Sequence, residues 1–412
     1  MKNINKFLWT WDHSMDWVPL ADGIQEKGAS NPYYKDAEDF IDDYKRLIDF
    51  FSPFGFTGII IYGLLRDCHG GIDAAKEICR YAKKKGMCII AGIGVNSYGG
   101  VYWEGKHEFN LSYWLDHHPE LEAVGQPFPN HPYLRIACPS KKENHEWMKD
   151  AVRWLCETFD IGGINFETGD YGLCKCGKCQ KRSKYVAKWA NDSAEWSNED
   201  IVELLPPLIE EAEKTRPGIL PICECYFDNV LNTDLFVPLK TFPRNTIFQF
   251  CINRSYLPKF LVEMDSQKVA KLPSHQKVIR THIGTQWNNE RHKFVARDFA
   301  ELTKKVSEIN MDGITIFSEV SYQKTVHEIN YISIANFSDN QGLTWNNFVI
   351  QKLAPLLGGE DLATKYIELL EKENINPGDI NNAKSILSRV KEPAFRRWLW
   401  LVDFLYQRME VY

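Results

Sequence analysis

The strongest constraint in this sequence is a repeated alternation of short, almost wholly apolar runs with stretches whose apolar residues recur at helical spacing. Residues 56–65 (FTGIIIYGLL), 87–95 (MCIIAGIGV) and 163–167 (GINFE) are runs of the first kind. A strand that is apolar on both faces belongs in a parallel sheet covered on both sides. Between such runs, Phe40, Tyr44, Leu47, Ile48 and Phe51 share one helical face, and Ala75, Ile78, Cys79 and Ala82 share another that Gly86 terminates. Further apolar runs fall at residues 7–11, 220–226, 246–252, 277–283 and 313–320. Helical stretches begin near residue 143, burying Trp147, Ala151, Trp154 and Leu155, and near Ser197 and Asp200, whose spacing resembles a capping box. Another spans about residues 292–309 with Phe299, Leu302, Val306 and Ile309 on one face. Eight strands, none joined by a two-residue hairpin turn, predict an α/β fold of the (β/α)8 TIM-barrel type over residues 1–325. A long aromatic insertion over residues 96–141 follows the third strand, and residues 326–412 read as a helical C-terminal extension.

Composition narrows the chemistry. A 44% hydrophobic and 25% charged chain without a long apolar run predicts a soluble protein, not one that enters a membrane. The net charge of −6 comes without a basic block, which argues against a nucleic-acid groove. No Gly-rich phosphate motif is present, since Gly92 and Gly94 lie inside a strand. The N-terminus lacks the apolar core of a secretory signal, so the chain reads as cytoplasmic or as a mature form whose signal has been removed. Eleven cysteines, an odd number, suit reduced thiols better than a disulfide framework. A homo-oligomer is left open.

In a barrel the reactive groups project from the C-terminal ends of the strands. The first strand delivers Asp12 and His13 there, the second Arg66 and Asp67, the third Asn96 and Tyr98, and the fourth Glu167 and Asp170. The fifth adds Glu224, the seventh His282 and the eighth Glu319. Several carboxylates at one mouth suit glycosidic hydrolysis, in which one acid protonates the leaving oxygen and a second carboxylate acts as base or nucleophile. Glu167 is the leading general acid: it ends a strand that is otherwise apolar except for Asn165, which shares its face. Glu319 is the preferred partner, with Glu224 and Asp170 in reserve. Trp11, Trp103, Trp114 and Trp287 are proposed stacking platforms for a carbohydrate substrate, with His13 and His282 able to hold its hydroxyls.

The loop after the fourth strand carries Cys174, Cys176 and Cys179 as C-x-C-x2-C. Three thiols so spaced can occupy three corners of a tetrahedral zinc site, and Cys138 in RIACPS, just before the helix leading into that strand, is the candidate fourth. Such a closed site would brace the loop and do no chemistry.

Together, CPS at Cys138, a helix, a strand ending in Asn165-Phe166-Glu167 and then C-x-C-x2-C resemble the β-galactosidases of glycoside hydrolase family 42 over about residues 135–181. The resemblance implies zinc on Cys138, Cys174, Cys176 and Cys179, with Glu167 as acid/base. Two positions depart from the family. Phe166 separates Asn165 from Glu167, and the seventh strand, ending THIGTQW, has no Glu where that family keeps its nucleophile. The reading is a glycoside hydrolase with a structural zinc. Its rivals are a metal-dependent barrel hydrolase or lyase using Asp12, His13 and His282, and a carbohydrate-binding barrel without catalysis.

Overall fold

The structure, a computed structural model, describes residues 4–12, 36–125, 135–167, 174–183, 186–188, 195–226, 233–252, 256–282, 293–317, 325–340 and 342–410. Eight parallel strands close into a barrel in which each strand pairs with the next in sequence and the eighth with the first. In order they are Asn5–Trp11, Gly58–Tyr62, Cys88–Gly94, Gly163–Glu167, Leu220–Tyr226, Ile247–Ile252, Gln276–His282 and Gly313–Phe317. The (β/α)8 expectation holds. The second strand is shorter than its apolar run because Gly63 adopts a φ of +83° and turns Leu64 and Leu65, still buried, into the following loop.

The period of two along each strand separates two cores. Outward residues such as Leu8, Ile59, Ile89, Phe166 and Ile279 pack with the helices in the larger cluster. Inward residues form a second cluster enclosed by the barrel. That interior changes character along its length. Phe7, Ile60, Ile90, Ile222, Ile247 and Val278 fill its lower part. Two residues further along those strands stand Trp9, Tyr62, Gly92, Glu224, Gln249 and Arg280. The polar groups therefore lie toward the C-terminal ends, above an apolar floor.

The helix Ala37–Phe51 buries Phe40, Tyr44, Leu47, Ile48 and Phe51, as its spacing predicts, and the Asp36 side chain caps it by accepting from the Asp39 N–H. The insertion after the third strand contains a helix, Leu111–His117, capped by Asn110. At the other end of the chain, Thr325–Asp339 supplies the helix that follows the eighth strand. Its Tyr331, Ile334 and Ala335 join the barrel core, whereas Ile329, Ile332 and Phe337 join a separate core built by the last helices. The helix assigned from sequence to the extension is thus shared between barrel and tail. Glu360–Glu371, Pro377–Leu387 and Ala394–Glu410 pack around Leu357, Tyr366, Trp398 and Leu401. A buried ion pair, Arg397 Nε to Glu328 Oε2 at 2.8 Å, fastens the last helix to Thr325–Asp339. Lys6 Nζ ties the foot of the first strand to Asp339 at 2.6 Å. No helix among the described residues is long and apolar enough to cross a membrane.

Candidate active site

The polar side chains inside the barrel form one hydrogen-bonded network. Glu224 is its centre: Trp9 Nε1 donates to its Oε1 at 2.6 Å, Gln249 Nε2 at 2.9 Å and Arg280 Nη1 at 2.9 Å. Arg280 and Glu224 are both fully buried, so the guanidinium matches a charge that burial alone would make costly. Arg280 also lies over the Trp9 and Phe317 rings, 5.0 and 5.1 Å from their centroids. Gln249 Nε2 reaches Asn165 Oδ1 at 3.2 Å, and Asn165 Nδ2 donates to the Tyr62 hydroxyl at 3.0 Å. The Tyr62 hydroxyl, 3.4 Å from the Asn165 carbonyl, also feels the Glu167 carboxylate. Burial, then the Glu224 and Glu167 charges beside it, push the Tyr62 phenol well above its ordinary pKa. Tyr62 therefore stays protonated near Glu167.

Register explains why these groups meet. Phe166 pairs with Cys223 across the fourth and fifth strands, so Glu167 and Glu224 occupy consecutive inward positions one step beyond. Gly92 pairs with both Tyr62 and Asn165. A Cβ at Gly92 would stand 2.3 Å from the Tyr62 ring, so only glycine lets the ring lie across the third strand toward Glu167. Gly92→Ala is expected to lower the stability by about 1–3 kcal/mol, measured by urea unfolding, through overpacking. An unchanged midpoint with an undisturbed Tyr62 would contradict this account of the network.

Aromatic rings wall the upper part of the site. Trp9 stacks on Tyr62 at 4.5 Å, and Trp11 packs edge-on to Tyr98 and Trp103 at 5.7 and 5.6 Å. Tyr98 holds a φ of +48°, a strained conformation for a residue with a side chain, followed by Gly99 and Gly100 at +78° each. That turn brings Tyr98 parallel to Trp103, with centroids 6.1 Å apart.

Asp12 is buried at the end of the first strand, with His69 Nδ1 2.7 Å from its Oδ2. Tyr44, 3.1 Å from Thr10 Oγ1, backs it from the helix side. Burial first, and Asp12 second, push the Tyr44 phenol well above its usual value.

Thus Asp12, Trp11, Tyr98, Trp103, Asn165, Glu167 and Glu224 gather at one end of the barrel. Trp114 is a correction. Its ring stacks on Trp147 at 5.4 Å and its Nε1 donates to Asn144, so it packs the insertion against the helix Lys142–Thr158 and does not join the mouth. His13, Asp170, Trp287 and Glu319 lie outside the described residues, as does the side chain of His282. Trp9, Tyr62, His69, Gln249 and Arg280 were not among the candidates. For Gln249 and Arg280 a signal existed: a polar residue in an apolar strand must face a partner inside the barrel.

The four cysteine sulfurs, Cys138, Cys174, Cys176 and Cys179, all lie within 4.8 Å of one another. Cys138 Sγ is 3.6 Å from Cys174 Sγ and 3.8 Å from those of Cys176 and Cys179. A tetrahedron with Zn–S bonds of about 2.3 Å has edges of about 3.8 Å, a length the three separations from Cys138 match. Donors surround them: Val124 N–H to Cys174 Sγ at 3.2 Å, Cys179 N–H to Cys176 Sγ at 3.5 Å and Arg182 Nη2 to Cys179 Sγ at 3.7 Å. The neighbouring Cys138 and Cys179 sulfurs hold the Cys174 thiol below its ordinary range. The cluster joins the insertion to the chain beyond the fourth strand. It also adjoins the third strand, because Ala137 donates its N–H to the Asn96 carbonyl at 2.8 Å.

No family model matches the chain, and no curated protein matches it in sequence. Solved structures do resemble it. One belongs to the pneumococcal exo-β-D-N-acetylglucosaminidase StrH, an enzyme with tandem GH20 catalytic modules, and is 12% identical over 99% of this chain and 98% of that one, with a TM-score of 0.50. An Anoxybacillus α-amylase is 12% identical over 82% and 78%, with a TM-score of 0.50. A GH138 enzyme targeting pectin rhamnogalacturonan II is 9% identical over 93% of this chain and 44% of its own, with a TM-score of 0.55. All three neighbours are glycoside hydrolases, and at such identities the likeness establishes the fold.

Proposed function

We propose that the chain is a glycoside hydrolase in which Glu167 is the general acid. The observation that carries this reading is the position of Glu167: buried inside the barrel at the end of the fourth strand and next in register to a second buried carboxylate, Glu224. The glycosidase neighbours and the local likeness to family 42 β-galactosidases support it. Tyr62 steadies the Glu167 carboxyl as it delivers a proton to the leaving oxygen. Glu224, held by Arg280, Trp9 and Gln249, is a rigid charge that fixes the Tyr62 and Asn165 side of the site. Glu319 is the proposed second catalytic carboxylate, with Glu224 the next candidate and Asp170 the third. Cys138, Cys174, Cys176 and Cys179 are proposed to hold a structural zinc, which when bound supplies rigidity to the loop between Glu167 and the insertion.

A panel of aryl glycosides, uronides included, assayed with the wild type and with Glu167→Gln, Glu319→Gln and Glu224→Gln, tests the assignment. Hydrolysis that survives Glu167→Gln unchanged sinks it. Sugar binding by a wild type that turns over no member of the panel would favour the non-catalytic carbohydrate-binding reading instead.

A further inference from the structure

We propose that Arg66, with Asp12 beside it and Trp103 adjoining its partner Glu104, forms a subsite for adjacent hydroxyls of a neutral sugar, a refinement that rests on the glycosidase reading. Arg66 lies four residues beyond the second strand and is 6% exposed. Its Nη2 is ion-paired with Glu104. Its Nε and Nη1 are buried and have no hydrogen-bond partner among the described residues. A guanidinium can only donate, and buried donors ordinarily find acceptors, so an oxygen-bearing ligand is what these two groups lack.

The arginine is held in place for such a role. Asp67 N–H donates to the Glu104 carbonyl at 3.0 Å and Glu104 N–H to the Leu65 carbonyl at 3.4 Å, zipping the two segments together. A side chain begun at Gly63 would meet Arg66 Cδ at 3.3 Å and Asp12 Cβ at 3.6 Å. Arg66 therefore lies across Gly63, alongside Asp12, at the strand ends that carry Tyr62. Trp103, half-buried, precedes Glu104 in the chain, and its ring lies 6.2 Å from that of Tyr62.

Charge decides which oxygen fits. Glu104 already pairs with the guanidinium, and Asp12, with His69 Nδ1 2.7 Å from its Oδ2, stands on the other side, so a ligand carboxylate would meet two carboxylates. A hydroxyl avoids that repulsion, accepting from Arg66 and donating to Asp12. The subsite thus selects neutral sugars over uronic acids.

Binding measured by saturation-transfer NMR with methyl glycosides of glucose, galactose, mannose and N-acetylglucosamine, and with methyl glucuronide and galacturonide, tests this directly. The wild type is expected to bind at least one neutral glycoside more tightly than its uronide, and Arg66→Gln to weaken that binding about tenfold or more. A deoxy analogue lacking the contacted hydroxyl should bind wild type and Arg66→Gln alike. Glu104→Gln keeps both donors and removes one repulsive charge, so it should retain the neutral sugar and improve uronide binding; thermal unfolding of each variant separates loss of fold from loss of contact. Unchanged affinity in Arg66→Gln, preference for the uronide, or no neutral glycoside bound by the wild type would each overturn the proposal. Normal turnover in Glu167→Gln alongside lost binding in Arg66→Gln would instead remove the catalytic assignment and leave the subsite standing.

Discussion

Glu167→Gln is expected to leave a folded protein whose hydrolysis of a glycoside with a poor leaving group falls about 10²–10⁴-fold, the usual worth of a positioned acid. The amide matches the carboxyl in shape, so the neighbouring network from Tyr62 through Asn165 and Gln249 to Glu224 should survive. The diagnostic is the dependence on the leaving group. A dinitrophenyl glycoside hardly needs protonation and should lose far less activity than an alkyl glycoside. A carboxylate that served only to hold Tyr62 would lower both rates equally. Parallel losses across leaving groups would therefore demote Glu167 to a positioning residue even if the rates fell.

The second large effect concerns the cysteines. The protein as purified is expected to contain one zinc per chain, and Cys138→Ser to lose it together with several kcal/mol of stability, since a closed thiolate site contributes its binding energy to folding. The sulfur separations of 3.6 to 3.8 Å motivate this, because Cys138 contacts all three of its partners. Cobalt substituted into the site should give the visible spectrum of a tetrahedral thiolate complex. The pH dependence has a definite sign. Metal binding requires deprotonated sulfurs, so the stabilisation is present at neutral pH and is lost as pH falls and protons compete for the ligands. A metal-free wild type, or a Cys138→Ser variant that melts with the wild type, would remove zinc from the picture.

Much of this arrangement was legible in the sequence, for identifiable reasons. The strand period placed Asn165 and Glu167 on one face, and both point into the barrel. The spacing of Cys174, Cys176 and Cys179, with Cys138 ahead of them, pointed to a cluster whose members do converge. What could not be read was the partner of each buried polar group. Arg280 and Glu224 are 56 residues apart and meet only because the barrel closes. His69 follows a strand end in an unremarkable loop, yet it faces Asp12 from a neighbouring strand. Trp114 misled because aromatic content marks a segment as packed without saying against what. Gly92 lies inside a strand and makes no phosphate motif, and the reason for a glycine there is the Tyr62 ring reaching over from the second strand.

The bond from Trp9 to Glu224 gives the molecule an internal reporter. Trp9 is wholly buried and donates its indole N–H to a carboxylate at 2.6 Å. The resonance of that proton should stand apart from those of solvent-facing indoles and shift whenever Arg280, Gln249 or a bound sugar alters the field around Glu224. Occupancy at the mouth could thus be followed from the centre of the barrel, in the unlabelled-ligand state and without turnover.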